Sequence, residues 1–232
     1  ISSNVPLAIL INPAILQAPL SQTVVQGGSL TLSISVTGHP MPITYRWVAN
    51  GLSIAAFTLP DTKCFLTITN VQPTATTNIF YYRVTVVNAA GFALSPLIAV
   101  TILADTDHDG IPDAWETSHQ LDPGNPGDAI LDSDGDGQTN LQEYRASTNP
   151  QDSNSVLRFE GITLGSNGAC TLTFMARSNS TYQVEARDGL APAPWRTIVR
   201  APAAPADRTV DWPDNTGTNG ARFYRLVTPA GN

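Results

Sequence analysis

Two short stretches of this chain carry carboxylates at spacings that suit a hard divalent cation. The first runs Asp105, Asp107, Asp109, Gly110, Ile111, Asp113, Glu116; the second, 27 residues later, runs Asp132, Asp134, Asp136, Gly137, Gln138, Asn140, Glu143. Calcium takes about six to eight oxygen ligands, so Asp at loop positions one, three and five can fold around it, while Gly at position six permits the sharp turn. The backbone carbonyl at position seven, of Ile111 or Gln138, adds one oxygen. Position nine, Asp113 or Asn140, acts directly or through water, and Glu116 or Glu143 clamps from the first turn of a following helix. The expected cofactor is Ca2+ at two sites.

Charge supports this reading. Eleven of the 19 acidic residues lie between Asp105 and Glu143 with no Lys or Arg among them, whereas the rest of the chain has eight acids against twelve bases. Without metal, three aspartates held close together repel one another, and the loops should loosen. The formal net charge of −7 argues against a nucleic-acid partner, which would require Lys and Arg to neutralise phosphates.

Each loop needs an element to aim its twelfth residue. Residues 113–120 and 139–146 can form short helices, with Trp115, Leu141 and Tyr144 available to pack them together. No helix is expected before either loop: 102–104 ends a strand and 126–131 is irregular. The segment therefore resembles the half EF-hand loops of dockerins and thrombospondin type 3 repeats. That resemblance implies a structural, extracellular calcium site.

The flanking regions read as β-structure. With 17 Gly, 18 Pro and only 13% charged residues in 232, the chain suits many turns and few surface helices. Residues 29–36 alternate Leu30, Leu32, Ile34 and Val36 against Ser and Thr, the period of a strand with one wet face. Further strands are expected over 44–48, 65–71, 80–87 and 97–102, with Asn50-Gly51 as a hairpin turn. Gly28, Leu30, Leu32, Gly38, Trp47, Leu66, Ile68 and the string Tyr82-x-Val84-x-Val86-x-Asn88-x-x-Gly91 resemble an immunoglobulin-like domain of bacterial surface proteins. The resemblance implies a β-sandwich in which Ile34 and Val84 stand where antibody domains have paired cysteines, and in which Tyr82 makes a tyrosine-corner hydrogen bond. Trp47 and Tyr82 read as core residues, with a ligand-stacking pair as the other reading.

Beyond the loops, strands are expected over 156–163, 170–176, 181–187, 195–200, 208–212 and 222–227. The Tyr182, Trp195 and Phe223-Tyr224 pattern resembles small C-terminal β-modules of large secreted bacterial proteins. Trp195, Trp212 and Tyr182 are either packing residues or a sugar-stacking platform. Cys64 and Cys170 each sit on the apolar face of a strand and read as buried free thiols, the alternative being a bond to another chain or domain.

The segment 5–11, from Val5 to Ile11, is apolar and repeats the Pro-Leu-led strand at Pro96 one module length later. It is either the last strand of a preceding repeat or a strand given to a neighbouring subunit. The chain starts at Ile1, which fits a removed leader or a piece of a longer exported protein.

The organisation expected is an N-terminal strand (1–12), an immunoglobulin-like domain (13–104), a calcium-binding segment (105–154) and a C-terminal β-sandwich (155–232). His39, His108 and His119 have no nucleophile motif beside them, and no phosphate loop or zinc spacing occurs. No run reaches the roughly 18 apolar residues of a membrane span. The reading is a non-enzymatic, secreted structural protein that self-associates or joins adjoining modules; the alternative is a carbohydrate-binding or anchoring tail of a secreted enzyme or adhesin.

Overall fold

The computed structural model describes residues 9–75, 77–165, 169–189, 194–215 and 221–228. The chain divides after Ala114 into two compact units. No helix among the described residues is long and apolar enough to cross a membrane.

Among the described residues the first unit holds nine strands: β1 (Ile11–Gln17), β2 (Gln22–Val25), β3 (Leu30–His39), β4 (Ile43–Ala49), β5 (Leu52–Leu59), β6 (Lys63–Ile68), β7 (Ile79–Asn88), β8 (Gly91–Leu94) and β9 (Ile98–Leu103). They form two sheets, β1-β3-β6 and β2-β9-β7-β4-β5, with β8 added on β7. β2 runs parallel to β9; the other pairings in this unit are antiparallel. The alternation read in the sequence is realised along β3, where Leu30, Leu32, Ile34 and Val36 are buried and Thr31 and Ser33 exposed.

Those inward residues meet Tyr45, Trp47, Val84, Val86, Val100 and Ile102 of the other sheet in one core. Trp47 is fully buried opposite Val84 in the β4–β7 register, so it is a core residue and presents no stacking surface. Ile34 and Val84 are likewise buried, and apolar contact takes the place of a disulfide between the sheets. Tyr82 packs into the same core, but among the described residues its hydroxyl makes no hydrogen bond. The corner bond expected of it is thus not found among the described residues; in this unit the buried Tyr45 bonds to backbone, donating to the Asp61 carbonyl at 2.8 Å.

Two turns explain sequence signals. Asn50 and Gly51 have φ of 47° and 81°, the paired positive values of a tight hairpin turn between β4 and β5. Asn88 accepts hydrogen bonds from the amides of Ala90 and Gly91 and donates Nδ2 to the Ile11 carbonyl at 2.9 Å. A Cβ on Gly91 would lie 2.8 Å from Asn12 Oδ1. The Asn-x-x-Gly string thus closes the β7–β8 turn and fastens the start of β1. Ile11 belongs to β1, paired within this unit, so the expected free strand shortens at its end. Ile9 and Leu10 are exposed, and residues 5–8 lie outside the described residues.

The second unit contains α2 (Asn140–Ala146), β10 (Phe159–Leu164), β11 (Cys170–Ala176), β12 (Tyr182–Asp188), β13 (Arg196–Ala201), β14 (Arg208–Asp214) and β15 (Arg222–Val227); the division falls inside the short helix α1 (Asp113–Ser118). Its sheets, β10-β11-β14 and β13-β12-β15, enclose Leu172, Phe174, Tyr182 and Val184. Phe174 and Tyr182 meet edge to face at 5.9 Å. Cys64 and Cys170 are both buried free thiols.

Replacing Asn88 by Ala removes three hydrogen bonds at one corner, and the first unit should lose about 1–3 kcal/mol in urea unfolding, with faster hydrogen exchange along β1. Unchanged β1 protection would remove Asn88 as its fastening. Trp47→Ala should cost about 3–5 kcal/mol through the cavity it leaves.

Candidate metal centres

The second loop lies wholly in the second unit. Asp132, Asp134 and Asp136 converge, each placing a carboxylate oxygen within 4.8 Å of the others. Backbone amides shape the cluster. Asp132 Oδ1 accepts from Gly135 and Asp136, its Oδ2 accepts from Gly137, Asp134 Oδ1 accepts from Asp136, and Asp136 Oδ1 accepts from Gln138. Gly135 and Gly137 take φ of 82° and 96°, which turns the chain tightly enough to aim these amides inward.

The other oxygens have no such donors. Among the described residues, Asp134 Oδ2, Asp136 Oδ2 and Glu143 Oε2 are buried without a hydrogen-bond partner. Glu143 arrives from the first turn of α2, whose Thr139–Gln142 capping box fixes the start of the helix. It is fully buried, with one hydrogen bond, from Thr148 Oγ1 to Oε1 at 3.4 Å. Burial first, then the charges of Asp134 and Asp136, push its carboxyl up to about 7; the Thr148 bond pulls the other way, and Asp132 adds to the rise. Such a group is raised because its neighbourhood is negative and dry, the condition a bound cation reverses.

The remaining expected ligands of this loop each donate a side-chain amide nitrogen elsewhere. Gln138 donates Nε2 to the Leu157 carbonyl at 3.2 Å; the ligand expected of it is its backbone carbonyl. Asn140 is buried and donates Nδ2 to the Asp128 carbonyl at 2.7 Å, while its Oδ1 has no hydrogen-bond partner among the described residues.

The first loop repeats the local pattern as far as Asp113. Asp105, Asp107 and Asp109 converge within 4.8 Å. Asp105 accepts from His108 and Gly110, Asp107 from Asp109, and Asp109 from Ile111. His108 and Gly110 have φ of 68° and 94°, the left-handed positions that Gly135 and Gly137 occupy in the other loop. Asp107 Oδ2 is buried without a partner among the described residues. Asp113 holds the Thr106 amide and hydroxyl, both at 2.7 Å, and so closes the loop on itself.

Glu116, in the second unit, is fully buried, and a carboxylate oxygen of it lies within 4.8 Å of one from Asp128. Asp128 was not expected at a site: it lies in the stretch read as irregular, outside either twelve-residue frame. Its proximity to Glu116 depends on how that stretch folds back. Trp115 meets Tyr144 edge to face at 5.4 Å and stacks on His119 at 4.0 Å, so the expected packing of the two helices occurs through these rings.

The aromatic residues read as a sugar platform are engaged otherwise. Tyr182 is fully buried and donates its hydroxyl to the Ala146 carbonyl at 2.9 Å, and the Trp195 ring is covered by the guanidinium groups of Arg187 and Arg225 at 4.7 and 4.5 Å. Trp212 is half-buried on β14, paired with Leu172.

A raised carboxyl makes the metal-free fold proton-dependent with a definite sign. The folded form holds the Glu143 proton more tightly than the unfolded chain does, so stability should fall as pH rises from about 4.5 through about 7. In chelator at pH 8, Glu143→Gln should melt above the parent, and the gain should vanish at pH 4. A variant that melts lower at both values would contradict the repulsion.

No family model and no curated protein matches the sequence. Among solved structures, the chain is similar to the immunoglobulin domains of the titin M10–obscurin-like 1 complex, with 31% identity over 40% of this chain and 94% of that chain and a TM-score of 0.34. Titin domain M7 gives 27% identity, 40% and 96% coverage and a TM-score of 0.35; the tandem immunoglobulin repeats of Dlar give 22%, 40%, 48% and 0.32. The protein's own strand order, with β2 parallel to β9, the β3–β6 and β4–β7 pairings and a core closed on Trp47, makes the assignment. The chain is a mainly β protein, and its first unit is an immunoglobulin-like sandwich.

Proposed function

We propose that this chain is a non-enzymatic, calcium-stabilised structural protein of the bacterial cell exterior, acting as a filament subunit or a module of a multi-module surface assembly. One observation carries the reading. Carboxylate oxygens of Asp107, Asp134, Asp136 and Glu143 are buried with no donor among the described residues, in a segment without a single Lys or Arg. Buried anionic oxygens in that state are costly unless a cation joins them. Hard oxygens at these loop positions favour calcium over softer metals.

The two loops, 105–116 and 132–143, each bind one Ca2+ in this reading. The metal is a brace, since the acidic residues that could serve catalysis are those that hold it. Extracellular placement follows from the ion: loops of this kind in extracellular modules bind at about 0.1–1 mM, a concentration kept outside cells. Association with further copies through the apolar segment 5–11 is supported by exposed Ile9 and Leu10, which cannot bury themselves alone.

Asp109→Ala and Asp136→Ala should each release one of two bound ions, counted by elemental analysis. Calcium at about 100 times its Kd should add about 2.7 kcal/mol, so EGTA should lower the melting temperature; an unchanged melt would remove the calcium brace. Electron microscopy of calcium-loaded protein should show regular fibres that vanish on deleting residues 1–10. Fibres from the deletion variant would exclude strand donation, and dispersed monomers that bind glycans would favour an accessory tail.

A further inference from the structure

We propose that the open edge of β5 is where the N-terminal segment, residues 5–10, of a second copy adds as a strand. The inference rests on the strand-donation reading above and supplies its acceptor. A strand edge presents unpaired N–H and C=O groups, and folded proteins blunt it with short strands, Pro, Lys or bulges. Among the described residues of the first unit, β1 contains Pro13, β2 and β8 have four residues each, and β6 begins with Lys63. β5 ends its sheet with eight residues and has no charged residue, Pro or Gly. Its register break beside Trp47 lies near its start, and 55–59 pair with β4 without interruption.

The core side of β5 is short of cover. Leu52, Ala55, Phe57 and Leu59 lie in register with Ala49, Trp47, Tyr45 and Ile43, and so share their face. Trp47, Tyr45 and Ile43 are fully buried, whereas Ala55, Phe57 and Leu59 are only partly buried and Leu52 is 74% exposed. The core therefore thins toward this edge, and one further apolar strand would extend it.

The donor suits that edge in kind. Residues 1–11 include no Asp, Glu, Lys, Arg or His, and 5–10 read Val-Pro-Leu-Ala-Ile-Leu, so whichever alternate set turns inward is apolar. Six residues are enough to pair along 55–59. Pro6 has no N–H to give, which an outermost strand tolerates. Ile9 and Leu10 are exposed, and Ile11 pairs with His39 on β3, in the sheet opposite β5. The segment thus departs from the other sheet of its own sandwich, which favours the β5 edge of another copy. Each copy would then carry one donor and one acceptor, the head-to-tail arrangement that propagates as a filament.

The test places a photoreactive benzoylphenylalanine at position 10 of the full chain, mixes isotopically light and heavy chains in calcium, and maps the crosslinks by mass spectrometry. They should join light to heavy chains and fall within 52–59. In sedimentation, Ala56→Lys should raise the concentration needed for association by about tenfold or more, and Phe65→Lys on β6 should leave it unchanged. The crosslink map leaves β5 unaltered, so it decides the matter even where Ala56→Lys fails to fold. A parent that stays monomeric at every concentration defeats strand donation itself. A parent that associates with crosslinks confined to one chain or lying on another strand defeats only the role of β5, and so does a folded Ala56→Lys chain that associates as readily as the parent.

Discussion

From Asp105 to Glu143 the chain has eleven carboxylates and no Lys or Arg, so its loops must fold against mutual repulsion. Hydrogen bonds to the backbone answer part of this. In both loops the aspartates at positions one, three and five each accept from an amide two to five residues later, which shapes the turn and draws positive N–H dipoles toward the charge. The second oxygens of Asp107, Asp134 and Asp136 have no hydrogen-bond partner among the described residues, and the elevated carboxyl of Glu143 reports the residual field. Local bonding therefore prepares the shape of the loops, and a cation would complete their electrostatics.

That preparation extends into the second sandwich. A helix of seven residues such as α2 cannot stand alone in water, where nucleation is costly. Its end is held by the Tyr182 hydroxyl on the Ala146 carbonyl, by Ser147 against Ser180 at 2.6 Å, and by Thr228 on the Arg145 carbonyl. Gln138 ties the loop itself to Leu157. Tyr182 is therefore more than core filling: a fully buried ring places one polar atom where α2 needs a donor. These bonds join the loop and its helix to the sandwich that follows.

Sequence patterns exposed what depends on periodicity and left obscure what depends on folding back. The strands β3, β4, β7, β11 and β15 were legible because buried and exposed residues alternate or because a tight turn follows. β5, Leu52–Leu59, was not: its residues are mostly exposed, and a register break beside Trp47 interrupts the alternation. β2 and β8 have four residues each, too few to show a period. The convergence of the three leading aspartates in each loop was legible because they recur at alternate residues just before a glycine. Asp128 was hidden because nothing local distinguishes it from a surface aspartate; its meaning arises from the turn that brings it to Glu116. The hydrogen bonds that Asp113 and Asn140 make were hidden for the same reason.

The two loops share a backbone but not an environment, and the difference should order their affinities. Asp105 is 2% exposed, whereas Asp132, its counterpart, is exposed. At the fourth position the first loop places His108 at φ 68° where the second has Gly135 at φ 82°. A side chain in that region costs about 1 kcal/mol that glycine avoids. The first loop thus combines a strained backbone, which costs the same with or without a cation, with stronger desolvation of its leading carboxylate, which makes its empty state less favourable. The desolvation raises the gain from a bound cation only if the loop stays folded without one; if it unfolds instead, desolvation and strain both lower the apparent affinity. The Asp113–Thr106 bonds bear on that choice, because they close the first loop through a contact that does not depend on metal. Such closure keeps the dry arrangement in place, so under the calcium reading proposed above the first loop should be the tighter site of the two.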